Sequence, residues 1–158
     1  MLEDLNGLKQ EYTGLKKSVQ KFEEQFPLKS LLVESEKDRK SEFTEYSNVL
    51  DKFYDSLFSI LKIDPLCINR LEIDKAAEIY FFNKSVALFG LKKYTLCLEY
   101  LDAVKKINPV NEDVSFLIGN VYRKLRKRKE AIQEFQTHIG LKGKYSDYAH
   151  LFIDSTIM

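Results

Sequence analysis

One internal repeat constrains this chain more than any other feature. Shifted against itself by 34 residues, the sequence lays Phe81 over Ser115, Lys84 over Ile118, Ser85 over Gly119, Leu88 over Tyr122, Cys97 over Ala131, Leu101 over Phe135 and Pro109 over Gly143. A repeat of this size means that copies of one supersecondary element stack and bury together a core that no copy could bury alone. Periodicity names the element. Apolar side chains recur three and four residues apart over 75–91, 94–107, 112–126, 129–141 and 145–155, the spacing of one helix face. Phe43, Tyr46, Val49, Leu50, Phe53, Leu57, Ile60 and Leu61 do the same and predict a helix that ends before Asp64-Pro65. No segment sustains a two-residue alternation, so the expected fold class is all-α.

Each repeated position has a packing reason. Small Ser85, Gly119, Cys97 and Ala131 are expected where two helices of a pair cross, and large Leu88, Tyr122, Leu101 and Phe135 beside them fill the remaining space. Pro109, after Asn108, ends the second helix of its unit. The second copy reads Ile118-Gly119-x-x-Tyr122 and then Ala131-x-x-x-Phe135, which resembles the tetratricopeptide repeat, a 34-residue helix-turn-helix unit. The resemblance is specific over about 78–143. Two positions depart from the family pattern: Lys84 stands in place of an aliphatic residue, and Gly143 in place of the closing proline. Extended backwards by 44 residues, the pattern puts Asp64-Pro65 in the role of Asn108-Pro109, with Phe53 and Leu57 in the roles of Cys97 and Leu101. The expected architecture is therefore a tetratricopeptide-like solenoid of antiparallel helix pairs over 28–158. It has a degenerate unit at 42–65, repeats at 78–111 and 112–145, and a capping helix at 145–158 carrying Tyr145, Tyr148, Ala149, Phe152 and Ile153.

Residues 1–27 form a separate amphipathic segment. Leu5, Leu8, Tyr12, Leu15, Val19, Phe22 and Phe26 step by three and four in a heptad seam that Pro27 stops. Gly7 and Gly14 weaken this helix by about 1 kcal/mol each relative to alanine, so it needs a partner surface. The seam either folds back on its own domain or pairs residues 5–26 with another chain as a coiled coil and homo-oligomer contact. From Lys29 to Ser41 the chain is polar apart from Leu31, Leu32 and Val33, and a helical turn followed by a loop is expected there.

Charge and chemistry narrow the function. With 25 Lys and Arg against 24 Asp and Glu the net charge is +1, which supplies no whole-protein field for nucleic acid or anionic lipid. The acidic start, Glu3-Asp4, is not a secretory signal, and no apolar run reaches membrane-spanning length. A soluble protein is expected, with no membrane contact, in the cytoplasm or alternatively the nucleus. Cys67 and Cys97 have no CxxC spacing and no histidine cluster, so reduced structural thiols are expected and neither a metal nor a cofactor. His138 replaces Val104 of the other copy, a packing position, and His150 sits on the last helix. No HExxH, GxSxG, GxGxxG, phosphate-loop or EF-hand pattern is present, so no catalytic residues and no enzyme activity are expected. The sharpest charge feature is Arg123-Lys124-Leu125-Arg126-Lys127-Arg128-Lys129 at the turn inside the second repeat. It reads as a solvated turn, a contact for an acidic protein, a nuclear import signal or, less readily, a nucleic-acid contact.

The resemblance implies a groove formed by the first helices of successive units, in which a peptide or helix of a partner protein binds. Carried over position by position, groove residues are Ile79, Phe82, Val86 and Phe89 in the first copy and Asp113, Phe116, Asn120 and Arg123 in the second. Asn83 and Lys124 lie beside them. Phe82 and Phe116, one repeat apart, are either exposed aromatic anchors or core side chains. Asn83 matches the middle asparagine of the carboxylate clamp found in some family members, but Asp113 and Leu117 stand where its Lys and Arg belong, which argues against a receptor for chaperone tails. The expected function is a non-enzymatic adaptor or scaffold that binds a protein segment, acidic if Arg123 and Lys124 take part.

Overall fold

The computed structural model describes residues 2–28, 31 and 39–157, and every regular element among them is helical. Leu32 and Val33 lie outside the described residues. The helices are α1 (Leu2–Gln25), α2 (Lys40–Ile63), α3 (Arg70–Gly90), α4 (Tyr94–Ile107), α5 (Glu112–Lys124), α6 (Arg128–Gly140) and α7 (Ser146–Ile157). The fold is all-α, and helices pack on their chain neighbours as in tetratricopeptide-like repeats. Asp64 takes an extended conformation and ends α2 before Pro65, as the pre-proline restriction requires. α3 starts at Arg70 rather than at 75, because the Asn69 side chain accepts the Glu72 N–H at 2.8 Å and caps the helix. Asn111 does the same for α5, accepting the Asp113 N–H at 3.0 Å.

The chain divides into two compact units, residues 1–91 and 92–158, with α1 inside the first of them. The reason lies in the aromatic side chains of α1. Tyr12 stacks on Phe53 (5.2 Å between centroids), Phe22 on Tyr46 (4.9 Å), and Phe26 meets Phe43 (4.5 Å), so α1 runs antiparallel to α2. Tyr12, Val19 and Phe26, seam residues of the heptad pattern, are buried within this unit. On α2's other neighbour, Tyr54 stacks on Tyr80 at 4.3 Å, and Gly90 sits so close to Phe43 that a Cβ would fall 2.5 Å from the ring. Asn83 of α3 donates to Glu23 of α1 at 2.8 Å. Thus α1 and α3 run parallel, both against α2, and α1 supplies the first helix of the degenerate pair whose second helix is α2.

In the second unit α5, α6 and α7 repeat this arrangement. A Cβ on Gly119 would lie 2.6 Å from the Phe135 ring, so the small residue at the α5–α6 crossing makes room for an aromatic ring. Phe152 of α7 approaches both Phe135 (5.5 Å) and Phe116 (6.4 Å), and Tyr145 stacks on Phe116 at 4.8 Å. His138 is fully buried. Its Nε2 accepts the Tyr145 N–H at 3.1 Å, so Nδ1 holds the proton and donates to the Glu112 carbonyl at 2.7 Å. A side chain at Gly143 would collide with this imidazole, which explains why the position takes glycine.

The helix ends share one device. Lys92, Arg126 and Lys142 have φ of 61°, 61° and 56°, the left-handed region. At Arg126 and Lys142 the bonds are those of a Schellman motif: Lys127 N–H to Tyr122 O at 2.8 Å, and Gly143 N–H to His138 O at 3.0 Å. The second bond also accounts for the missing proline at 143, since proline has no N–H to give. A non-glycine residue in this region costs about 1 to 2 kcal/mol, partly offset by the extra chain entropy of glycine. Lys142→Gly should therefore stabilise the protein by about 0.5 to 1 kcal/mol. An unchanged or lowered midpoint in urea unfolding would contradict this account of the turn.

Neither cysteine forms a disulfide; Cys67 is partly exposed and Cys97 buried. Burial pushes the Cys97 thiol up to about 12, so little thiolate forms at neutral pH. A soluble disulfide reagent at pH 8 should titrate one thiol in the native chain and the second only on unfolding. Two rapid equivalents would show that α4 does not sit as described.

Candidate protein-interaction site

The parallel placement of α1 and α3 leaves a cleft of about 320 Å³ in the first unit. Tyr12 and Phe53, the stacked pair joining α1 to α2, form its floor with Ala76 and Ile79 of α3. Leu71, at 65% exposure, stands at its rim as an unusually open apolar side chain for the first turn of a helix. Lys16 of α1 and Lys75 of α3 flank the mouth, with Glu72 and the Asn69 cap at the α3 end. An apolar floor with charges at the edge suits a short amphipathic segment, whose side chains enter while its charged groups stay hydrated.

The sequence-derived residues fare unequally. Ile79 lines this cleft. Asn83 is buried, donating to both Glu23 and the Ile79 carbonyl (2.9 Å). Burial raises the Glu23 carboxyl, and the Asn83 hydrogen bond partly counters that rise. Phe82 is half-buried, whereas Val86 and Phe89 are buried. Phe116 is 1% exposed, held among Phe135, His138, Tyr145 and Phe152, and so belongs to the core rather than to an exposed groove. Asn120, also buried, donates to the Phe116 carbonyl and accepts from Arg123 at 3.3 Å. The Arg123 guanidinium lies over the Phe152 ring at 4.1 Å, and Lys124 alone of these ten residues is exposed. Asp113 faces Lys144 at 3.7 Å; burial raises its carboxyl, while Lys144 pulls it back down. Of the second copy's groove positions, Phe116 and Arg123 thus meet Phe152 of the last helix, α7.

Residues that sequence reasoning missed are Tyr12, Lys16, Leu71 and Lys75. Tyr12 was visible as a seam residue, but nothing in the heptad pattern revealed that α1 would lie beside α3. The basic run forms the α5–α6 turn, with Lys124, Arg126, Lys127, Arg128 and Lys129 exposed. Among the described residues, no group of three or more His, Cys, Asp or Glu is placed to hold a metal ion. No helix of those residues is long and apolar enough to cross a membrane.

Comparison with known proteins agrees with this picture at a coarse level. Over 73 residues the chain is 29% identical to anaphase-promoting complex subunit 3 of Schizosaccharomyces pombe. The match covers 46% of this chain and 11% of that protein, so the chain spans a small part of its relative's length. No family model matches the chain. The sequence likeness and the all-helical fold agree with helical repeats of tetratricopeptide type.

Proposed function

We propose that this chain is a non-catalytic scaffold module that receives an amphipathic peptide or helix of a partner protein in the α1–α3 cleft. The observation that carries this reading is the cleft itself: an apolar floor of Tyr12, Phe53, Ala76 and Ile79, with exposed Leu71 and the cations Lys16 and Lys75 also lining it. Likeness to a named subunit of a multiprotein complex supports a role in assembly rather than in chemistry. The cytoplasm or nucleus is the compartment in which such a module would work. Tyr12, Val19 and Phe26 of the α1 seam pack inside their own unit, which weighs against pairing of that seam with a second copy.

The test compares wild type with a Leu71→Glu, Lys75→Glu variant, both exposed positions, after circular dichroism has shown equal helicity and melting. Protein recovered with the tagged wild type from cell extract should be lost from the variant. Recovery of the same partners by both forms would remove the cleft from the function.

A further inference from the structure

The second unit carries a charge arrangement that local helix rules oppose. Lys92 and Lys93 precede α4, and Lys127, Arg128 and Lys129 open α6. Cations at helix N-termini work against the helix dipole, and neither N-cap, Lys93 or Lys127, makes a side-chain capping bond. The first turn of α4 contains no acid at all. Thr95 near the start of α4 and Tyr122 near the end of α5 line one groove, so the start of α4 and the α5–α6 turn lie at the same end of the unit. Seven exposed cations belong to the segments at that end: Lys92, Lys93, Lys124, Arg126, Lys127, Arg128 and Lys129. Two helix N-termini add their unsatisfied N–H groups to the same edge.

The groove that runs from this edge has different chemistry. Its volume is about 380 Å³, and Leu98, Ile118 and Tyr122 give it an apolar surface. Glu99, Asp102 and Glu134 line it against one cation, Lys105, which pairs with Glu134 at 3.5 Å; Asp102 pairs with exposed Lys106 at 3.6 Å. A nucleic-acid strand bound at the basic edge would carry its next phosphates onto these carboxylates. A peptide can change character along its length. We infer that this face of the second unit docks a protein segment in which a short acidic run, held on the basic edge, is followed by apolar side chains and then a basic residue that enter the groove. This surface is separate from the α1–α3 cleft and does not depend on it.

The experiment is fluorescence anisotropy of the full chain with three labelled probes: a peptide of six glutamates, the same peptide extended by two leucines and a lysine, and a twenty-nucleotide single-stranded DNA. The extended peptide should bind about tenfold tighter than the plain one, and both should weaken at least about tenfold between low and high salt. Lys127→Glu with Arg128→Glu should abolish most binding of both peptides, whereas Lys17→Glu on the exposed face of α1 should leave it unchanged. Glu99→Lys with Asp102→Lys should strengthen DNA binding selectively over the extended peptide. Tighter binding of DNA than of the extended peptide would overturn the inference in favour of a nucleic-acid surface. Equal affinity of the two peptides would remove the groove, and an absence of peptide binding, of salt dependence or of any effect of the charge reversal would overturn it altogether. The salt and peptide comparisons use wild-type protein alone, so they decide even if a variant misfolds.

Discussion

Phe135→Ala is expected to destabilise the second unit by about 3 to 5 kcal/mol, the range for removing a fully buried aromatic ring. The ring has no exposed surface and fills the space between Gly119, Phe116 and Phe152, so its loss opens a cavity bordered by three helices. Gly119→Val should cost about 1 to 3 kcal/mol for the opposite reason, since its first side-chain carbon already lies 2.6 Å from the ring. The two changes should not add. With Phe135 truncated, the valine enters the vacated volume, and the double variant should be more stable than the sum of the single losses predicts. Urea unfolding of all four forms measures this. Strict additivity would mean that the glycine and the ring do not share one space.

Asp51→Ala is the second large effect, expected at about 2 kcal/mol. Lys84 has a side chain only 9% exposed, and its Nζ reaches Asp51 Oδ1 at 2.8 Å. The same oxygen accepts from the Tyr80 hydroxyl at 3.0 Å. Removing the carboxylate leaves a buried ammonium without its partner, the costly way to break an ion pair; Asp51 is 46% exposed, so water screens part of the loss. Adding Lys84→Met should restore stability to within about 1 kcal/mol of wild type, because an apolar chain of similar length needs no counter-charge. A double variant no more stable than Asp51→Ala alone would show that the pair is not what holds α3 to α2 at this point.

Lys84 illustrates what was legible in the sequence and what was not. The 34-residue period marked it as a departure from an aliphatic position, but its partner lies 33 residues away on a helix of different register, and no local pattern connects them. Helix existence was legible wherever spacing of three and four persisted: α4 matches 94–107, and α5 and α6 differ from 112–126 and 129–141 only at their ends. The start of α3 is not marked by apolar rhythm, because Leu71 is exposed; the local signal there is Asn69, which caps the helix through the Glu72 N–H. For the site, periodicity could place Phe82 and Phe116 on one face but could not say what would cover that face. Burial of Phe116 depends on Tyr145 and Phe152, whose docking is a tertiary event. The cleft was invisible for the same reason, being made by the meeting of α1 and α3.

The covering of Phe116 by α7 has a consequence for competition. A turn of five residues, 141–145, tethers α7 to α6, which sets its effective concentration at the Phe116 face on the order of millimolar. A free helix would bind more weakly while α7 remains in place, by the ratio of that effective concentration to the dissociation constant of α7 for the bare face: roughly a thousandfold were that constant about 1 µM. Any partner that reached Phe116 and Asn120 would have to displace a rival carried by the chain itself, and its selectivity would be set against the sequence of α7.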